Sequence, residues 1–306
     1  MNSIELLKKF GFKVEHEMKS IYPFAPVYKV DNYIVKKTQS PYELAINLVN
    51  YVEYLGKQQV SIVTPVKLNE DNPKRVGEEY YVCYPFIEGI TYSAREAEIY
   101  QAGKLLGSIH ALSTDNNDFD LEAYNVFDFY HHEVDEYMER IDRFVTLYRV
   151  DIDTDKLRSI LHESIDHQSS LQQANLAWVE TPHDYKANNL IYQQHPVLID
   201  PDNAKWIPRI FDISLALLLF HNELDSAPDR IFTPEEWQIF LNGYKKYQQF
   251  TLEEINYWKI AVKHVFLDEV MWLMAEVEED WGRQSQRDLF VSITKLLDKM
   301  DQYSIY

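Results

Sequence analysis

Two acids and an amide stand close together in residues 183–212, in a pattern that suits chemistry on phosphate. Asp184 is followed five positions later by Asn189. An apolar run (Leu190, Ile191, Tyr192), a polar turn (Gln193 to Pro196) and a second apolar run (Val197, Leu198, Ile199) then lead to Asp200. Two short runs of similar length around a turn read as a β-hairpin. Antiparallel pairing brings Asn189 and Asp200 side by side at the open end, with Asp184 on the loop just before it. One amide oxygen and one carboxylate, with positions left over for phosphate oxygens and water, suit Mg²⁺ better than a soft metal. Asp184 is left to take a proton. An aspartate that orients an attacking hydroxyl, with an asparagine and a second aspartate holding metal against nucleotide phosphates, is the recurring equipment of phosphoryl transfer.

Order and spacing here resemble the aminoglycoside phosphotransferase and choline kinase superfamily. Its members carry an Asp-x4-Asn loop, a short hairpin, an Ile-Asp-x-Asp/Glu-x-Ala segment and a Tyr/Phe-Asp-Ile/Leu-Ala segment. The chain has Asp184 and Asn189, IDPDNA over residues 199–204, and FDIS over residues 211–214. Any one of these acids alone reads as a loop residue capping a turn, but four elements in order are harder to reach by accident. The resemblance implies that Asp184 orients the acceptor hydroxyl and that Asn189 and Asp200 hold Mg²⁺, with Asp202 as an additional metal or water ligand. It also implies ATP or GTP as donor and Asp212 as a brace for the catalytic loop. One departure stands out: the family's His-Gly-Asp opening is replaced by Pro182-His183-Asp184, which places the histidine one position late for its usual bracing role.

Elements on both sides must position these groups. Residues 28–37 (YKVDNYIVKK) read as two short strands around an Asp-Asn turn, with Lys36 near the end of the second. A lysine at a strand end is ordinarily a solvated edge residue; the resemblance gives Lys36 the nucleotide phosphates, and strand alternation turns Lys37 to the other face. The preceding loop, SIYPFAP, contains no glycine, so a glycine-rich phosphate flap is not expected. Residues 41–56 follow a helical pattern with Leu44, Leu48, Tyr51 and Leu55 on one face. Glu43 and Glu53 are both available there to Lys36, and its partner stays unassigned. Residues 80–89 (YYVCYPFIEG) read as a buried strand running into a turn. There the resemblance implies a linker at which the adenine amino group donates to the Pro85 carbonyl and a ring nitrogen accepts from the Ile87 N–H. Proline suits the first position because only its carbonyl is used.

The rest of the chain reads mainly as helices. One ends at residues 107–112, with Ile99, Ala102, Leu105 and Ile109 on a buried face and His110 as a core or helix-end histidine. A longer amphipathic one covers 126–148, and the pattern continues over 157–165. An almost wholly apolar helix over 213–220 begins beside Asp212, which is expected to cap it. Three more come after it: one opening at Pro234, one at Thr251 with Glu254 completing a capping box, and one through Leu289, Ile293 and Leu297. In the second of these Asp268, Trp272, Glu276 and Glu279 share one side at helical spacing, which suits a polyamine-like substrate or a solvated face equally.

Composition bounds the function. The 306 residues, 46% of them hydrophobic, are enough to bury a sizeable core as one large domain or two lobes. The single cysteine, Cys83, excludes an internal disulfide and a cysteine zinc cluster. No apolar run is long enough to span a membrane, and the opening MNSIELLKKFGF lacks the marks of a signal peptide, so a cytoplasmic location is expected. The net charge of −19 is unevenly spread: residues 1–88 hold 11 basic and 11 acidic side chains, residues 89–306 hold 19 and 38. Such a field repels nucleic acid and anionic membranes and favours a cationic small molecule, although an acidic surface also serves solubility.

The resemblance thus implies an α+β, two-lobed protein-kinase-like fold. A small strand-rich nucleotide-binding lobe covers residues 1–88; a larger, mostly helical lobe covers residues 89–306 and carries the catalytic hairpin and acceptor site. The expected activity is Mg²⁺-dependent phosphoryl transfer to a hydroxyl of a small cationic molecule, an aminoglycoside first. The alternatives are a choline, homoserine or methylthioribose type of metabolite kinase, or a non-catalytic relative of the spore-coat type.

Overall fold

A short helix, α1 (Ser3–Lys9), is capped by the Asn2 side chain, which accepts from the Glu5 N–H. After it the alternating sequence pairs as strands. β1 (Val27–Val30) and β2 (Tyr33–Lys37) turn at Asp31, whose φ of 50° is left-handed. Helix α2 (Tyr42–Lys57) comes next, then β3 (Lys74–Val76) and β4 (Glu79–Pro85). The four strands form one antiparallel sheet in the order β1-β2-β4-β3, with Val35 opposite Cys83. The structure is a computed structural model and describes residues 2–22 and 25–306; Pro23 and Phe24 of the glycine-free loop lie outside the described residues.

Beyond Gly89 the chain is mostly helical. β5 (Ile90–Thr91), α3 (Glu96–His110), β6 (Glu122–Ala123), α4 (His131–Tyr148) and α5 (Thr154–Gln173) lead to β7 (Trp178–Thr181). The hairpin β8 (Leu190–Tyr192) and β9 (Pro196–Leu198) leads on to β10 (Lys205–Pro208) and α6 (Arg209–Leu219). The remainder is α7 (Pro234–Tyr244), α8 (Leu252–Val265), a π turn (Phe266–Val270), α9 (Met271–Glu276), α10 (Glu278–Gly282) and α11 (Gln284–Asp298). The chain is therefore strand-rich at its N-terminal end and helical afterwards, as a kinase-like α+β fold requires. Helix α4 starts at His131 rather than Val126, and α5 is a separate helix of its own. No helix among the described residues is long and apolar enough to cross a membrane.

Two of the buried apolar clusters hold these parts. A small one joins Leu6 and Leu7 of α1 to Val30, Val35 and Cys83 of the sheet. The large one fills the helical part and extends into α2, whose Leu48, Tyr51, Val52 and Leu55 belong to it; each such side chain contributes about 1.5–3 kcal/mol on burial. The Tyr51 hydroxyl also donates to the Glu180 carbonyl at 2.8 Å. Helix α2 is thereby fixed to the β7 side of the molecule. Helices α3 and α7 touch backbone to backbone: a Cβ at Gly103 would come within 1.9 Å of the Phe240 carbonyl oxygen, and one at Gly243 within 2.1 Å of that of Tyr100. That close approach brings His110 Nδ1 within 3.0 Å of the Tyr244 hydroxyl.

Candidate active site

The hairpin places the metal-ligand candidates as pairing demands. Leu190 lies opposite Leu198, and the Ile199 N–H donates to the Asn189 carbonyl at 2.9 Å, so Asn189 and Asp200 leave the hairpin at the same end. A 3₁₀ turn (Ala187–Asn189) carries Asn189, and its Nδ2 donates to the Asp184 carbonyl at 2.9 Å. The loop is tied down on both sides, by Ala187 N–H to the Phe220 carbonyl at 2.8 Å and by the Tyr185 hydroxyl to the Ala102 carbonyl at 2.8 Å.

His183 and Asp184 both adopt left-handed backbone, with φ of 55° and 43°. Two consecutive non-glycine residues there are costly and persist only where the surroundings hold them. Although His183 stands one position late in sequence, this conformation lets its Nδ1 reach Asp212 Oδ1 at 2.9 Å. Asp212 Oδ2 accepts from Thr181 Oγ1 at 3.1 Å and lies 3.0 Å from His110 Nε2, while His110 Nδ1 meets the Tyr244 hydroxyl at 3.0 Å. The expected capping role of Asp212 is corrected here: α6 starts at Arg209, with Pro208 as its cap, and the Asp212 oxygens serve side chains rather than helix N–H groups. Burial opposes its charge, but the bonds from His110 and His183 outweigh that and hold its carboxyl well below the usual range.

A cleft of about 410 Å³ gathers Lys36, Pro85, Ile87, Asp184, Asn189 and Asp200, with Ile34 and Val63 among its apolar walls. The glutamates of α2 do not serve Lys36: Glu43 is exposed and Glu53 pairs with Lys57 at 3.3 Å. Instead Lys36 Nζ lies 2.5 Å from Asp200 Oδ1 and 2.9 Å from Asp202 Oδ2. Burial works against its charge, yet Asp202 and Asp200 raise its pKa. Asp202 sits behind the lysine rather than in the cleft, where its Oδ1 accepts from the Tyr84 hydroxyl at 3.2 Å. Its buried Oδ2 faces Lys36 at ion-pair distance without hydrogen-bond alignment. Burial raises the Asp202 carboxyl above its ordinary value, against the pull of Lys36.

Sequence reasoning passes over Lys186. Its Nζ lies 3.2 Å from Asp184 Oδ2 and 3.5 Å from Glu223 Oε2, at the junction with a second cavity of about 310 Å³ that shares Tyr22 and Asn188 with the cleft. Glu223, Asp225, Asp229 and Arg283 line that second cavity. The signal in the sequence is its place in the loop, two residues after Asp184.

None of Asp268, Trp272 and Glu276 lines the cleft. Asp268 Oδ2 accepts from the Tyr124 hydroxyl at 2.9 Å, Glu276 pairs with Arg140 at 3.2 Å, and Trp272 is 41% exposed. The expected stripe requires one unbroken α-helix, whereas the π turn shifts the register between Asp268 and Trp272, and Glu279 falls on α10. The acid of this segment turned toward the loop of residues 183–189 is Glu269, 3.6 Å from His183 Nε2.

Comparison with known proteins matches this architecture. The family model described as the phosphotransferase enzyme family matches residues 25–253. No curated protein matches the sequence. Among solved structures, spectinomycin phosphotransferase APH(9)-Ia, in complex with ADP and spectinomycin, is 19% identical, with 97% of this chain and 93% of that one covered and a TM-score of 0.57. The amicoumacin kinase hAmiN, in complex with AMP-PNP, Ca²⁺ and Ami, is 14% identical over 91% and 85% of the chains, with a TM-score of 0.57. The choline kinase LicA from Streptococcus pneumoniae is 16% identical over 91% and 92%, with a TM-score of 0.51. A family match across residues 25–253, on a fold shared with these structures, leads to one conclusion: the chain belongs to the phosphotransferase enzyme family.

Proposed function

We propose that the protein transfers the γ-phosphoryl group of Mg·ATP, or of Mg·GTP, to a hydroxyl of a small cationic molecule in the cytoplasm, with an aminoglycoside as the first candidate acceptor. One observation carries the reading: Lys36, from a distant strand, converges on one cleft with Asp184, Asn189 and Asp200 of the loop and hairpin. The donors fit a hard cation. Asn189 and Asp200 offer oxygen only, and no group of three or more His, Cys, Asp or Glu that could hold a metal occurs among the described residues. Mg²⁺ is commonly held by one or two carboxylates, with water and substrate phosphates completing its shell. When bound, it neutralises charge on the β- and γ-phosphate oxygens.

The chain's own groups divide the remaining work. Lys36, steadied by Asp202 behind it, holds phosphate oxygens; the Pro85 carbonyl and Ile87 N–H receive the adenine. Asp184 accepts the proton of the acceptor hydroxyl as the new O–P bond forms and the bond from γ-phosphorus to the bridging oxygen breaks, releasing ADP. The acidic cavity lined by Glu223, Asp225 and Asp229 adjoins Asp184 and favours an amine-bearing acceptor. The relatives named for spectinomycin and choline support the same range, and choline, homoserine and methylthioribose are the metabolite alternatives. The test is consumption of Mg·ATP and Mg·GTP over a panel of aminoglycosides, spectinomycin, choline and sugar-like metabolites. Nucleotide binding without consumption on any compound would favour the non-catalytic relative instead.

A further inference from the structure

The helical path that opens at Thr251 is interrupted by a turn that is not α. Between α8 and α9, residues Phe266–Val270 form a π turn, closed by the Met271 N–H on the Phe266 carbonyl. Such a turn takes up one residue more than an α turn, which rotates α9 by about 100° relative to a straight continuation of α8. From this turn Glu269 reaches within 3.6 Å of His183 Nε2, while Asp212 of α6 holds Nδ1 at 2.9 Å. The ring thus lies between carboxylates from two elements, hydrogen-bonded to Asp212 and at ion-pair distance from Glu269. Those elements are in turn locked together, because Arg209 of α6 forms a buried ion pair with Glu254 of α8.

These contacts fall on the strained part of the loop. His183 and Asp184 both have positive φ, at about 1–3 kcal/mol each, and their conformation aims Asp184 into the cleft. We propose that Glu269 is a positioning residue for phosphoryl transfer: it fixes His183 from the side opposite Asp212 and so keeps the His183–Asp184 pair set for the acceptor hydroxyl. This rests on Asp184 being the proton acceptor. Burial disfavours a charged imidazole, but the bonds and charges of Asp212 and Glu269 outweigh it and raise His183 to about 9. The imidazolium then helps to lower the Asp184 carboxyl, which burial raises.

Several other charges act on this ring. Asp212 comes from α6, with His110 beyond it; Glu269 and Asp268 come from the π turn, and Asp184 from the same loop. Lys205 of β10 acts on both Glu269 and Asp268. Burial and Glu269 push Asp268 up to about 6.

Glu269→Gln keeps the shape and removes the charge. The first readout needs no acceptor: NMR titration of histidine-labelled protein, with His183 assigned through His183→Asn. The wild-type ring should keep its proton to pH about 9, and the Glu269→Gln ring should lose it about one pH unit lower or more. The second readout is the pH profile of Mg·ATP turnover, with the best panel alcohol or with water as acceptor. Its alkaline limb should move down by the same interval, with roughly fivefold loss at pH 9 for a shift of about one unit, recovery at pH 6.5 and an unchanged KM for Mg·ATP. Asp268→Asn should leave the alkaline limb in place. An unmoved His183 titration, or turnover lowered by one factor at every pH, overturns the proposal. If Glu269→Gln fails to fold, Glu269→Asp draws the carboxylate back by one methylene and must still shift the titration. Full turnover in Asp184→Asn would defeat the reading of Asp184 while leaving the His183 titration as measured.

Discussion

Lys186 Nζ lies 3.2 Å from the Asp184 carboxylate, two residues away in the same loop. Burial raises the Asp184 pKa above its ordinary value, and the charge of Lys186 is the main influence pulling it back. Asp184 accepts a proton only when ionised, so activity should fall as pH drops through its pKa. Lys186→Met lifts that pKa further. The acid limb of kcat/KM in this variant should therefore lie at higher pH than in the wild type, and an unmoved limb would detach Lys186 from the reaction.

Asp184 and Asp212 are separable. Asp184→Asn should keep the fold and the Mg·ATP affinity and lower turnover by roughly 10²–10⁴-fold. Asp212→Asn leaves buried donors from His110 and His183 without their anion, which should cost roughly 3 kcal/mol or more of stability as well as activity. Calorimetric nucleotide affinity, thermal midpoint and turnover for both variants decide this; equal destabilisation by the two would mean that Asp184 is also structural.

Asp200 meets Lys36 on one oxygen and lies open to the cleft. Saturation with Mg·ATP at about a hundred times Kd should stabilise the wild type by about 2.7 kcal/mol, seen as a raised thermal midpoint. Asp200→Ala should lose most of that rise, and chelation of the metal should have a similar effect on the wild type. A full rise in the variant would remove Asp200 from the metal site.

The His183–Asp212 pair also sets a pH dependence of stability. His183 is raised from about 6.5 unfolded to about 9 folded, so its contribution is complete below pH 6.5 and is lost as pH rises through 9. Asp212 is lowered, so its contribution is present above the unfolded carboxyl value and lost only in strong acid. Stability should accordingly fall by a few kcal/mol, on the order of 2–3, between pH 6.5 and 9. Denaturant melts at intervals across that range should show a flatter profile in His183→Asn.

Much of the site is legible in the sequence because it is local. Asn189, Asp200 and the hairpin between them come from short-range alternation, and Lys36 comes from its strand. The partners of Lys36 are not legible, since Asp200 and Asp202 stand more than 160 residues away and replace the nearby helix glutamates. His183 looks displaced because linear position does not show a left-handed backbone. The stripe of Asp268, Trp272 and Glu276 exists only at α-helical spacing, and no residue type in Phe266–Val270 marks a π turn. Asp212 resembles a cap because it borders an apolar run, whereas the helix has already begun at Arg209.

The acidic balance of residues 89–306 makes one more difference measurable. Glu223, Asp225 and Asp229 line the cavity that adjoins Asp184, and Arg283 is its one lining lysine or arginine among the described residues. A cationic acceptor drawn by this field should associate faster at low salt, and screening shortens the reach of the charges to about 8 Å at physiological ionic strength. The kcat/KM for the acceptor should then fall as salt is added, while kcat at saturation changes little, because chemistry within the closed complex is screened much less. Asp225→Asn and Asp229→Asn together should flatten the dependence without changing the KM for Mg·ATP. Stopped-flow or steady-state rates at a series of NaCl concentrations provide the measurement. A slope of zero would point to a neutral acceptor and would remove the charge argument for placing aminoglycosides ahead of uncharged metabolites.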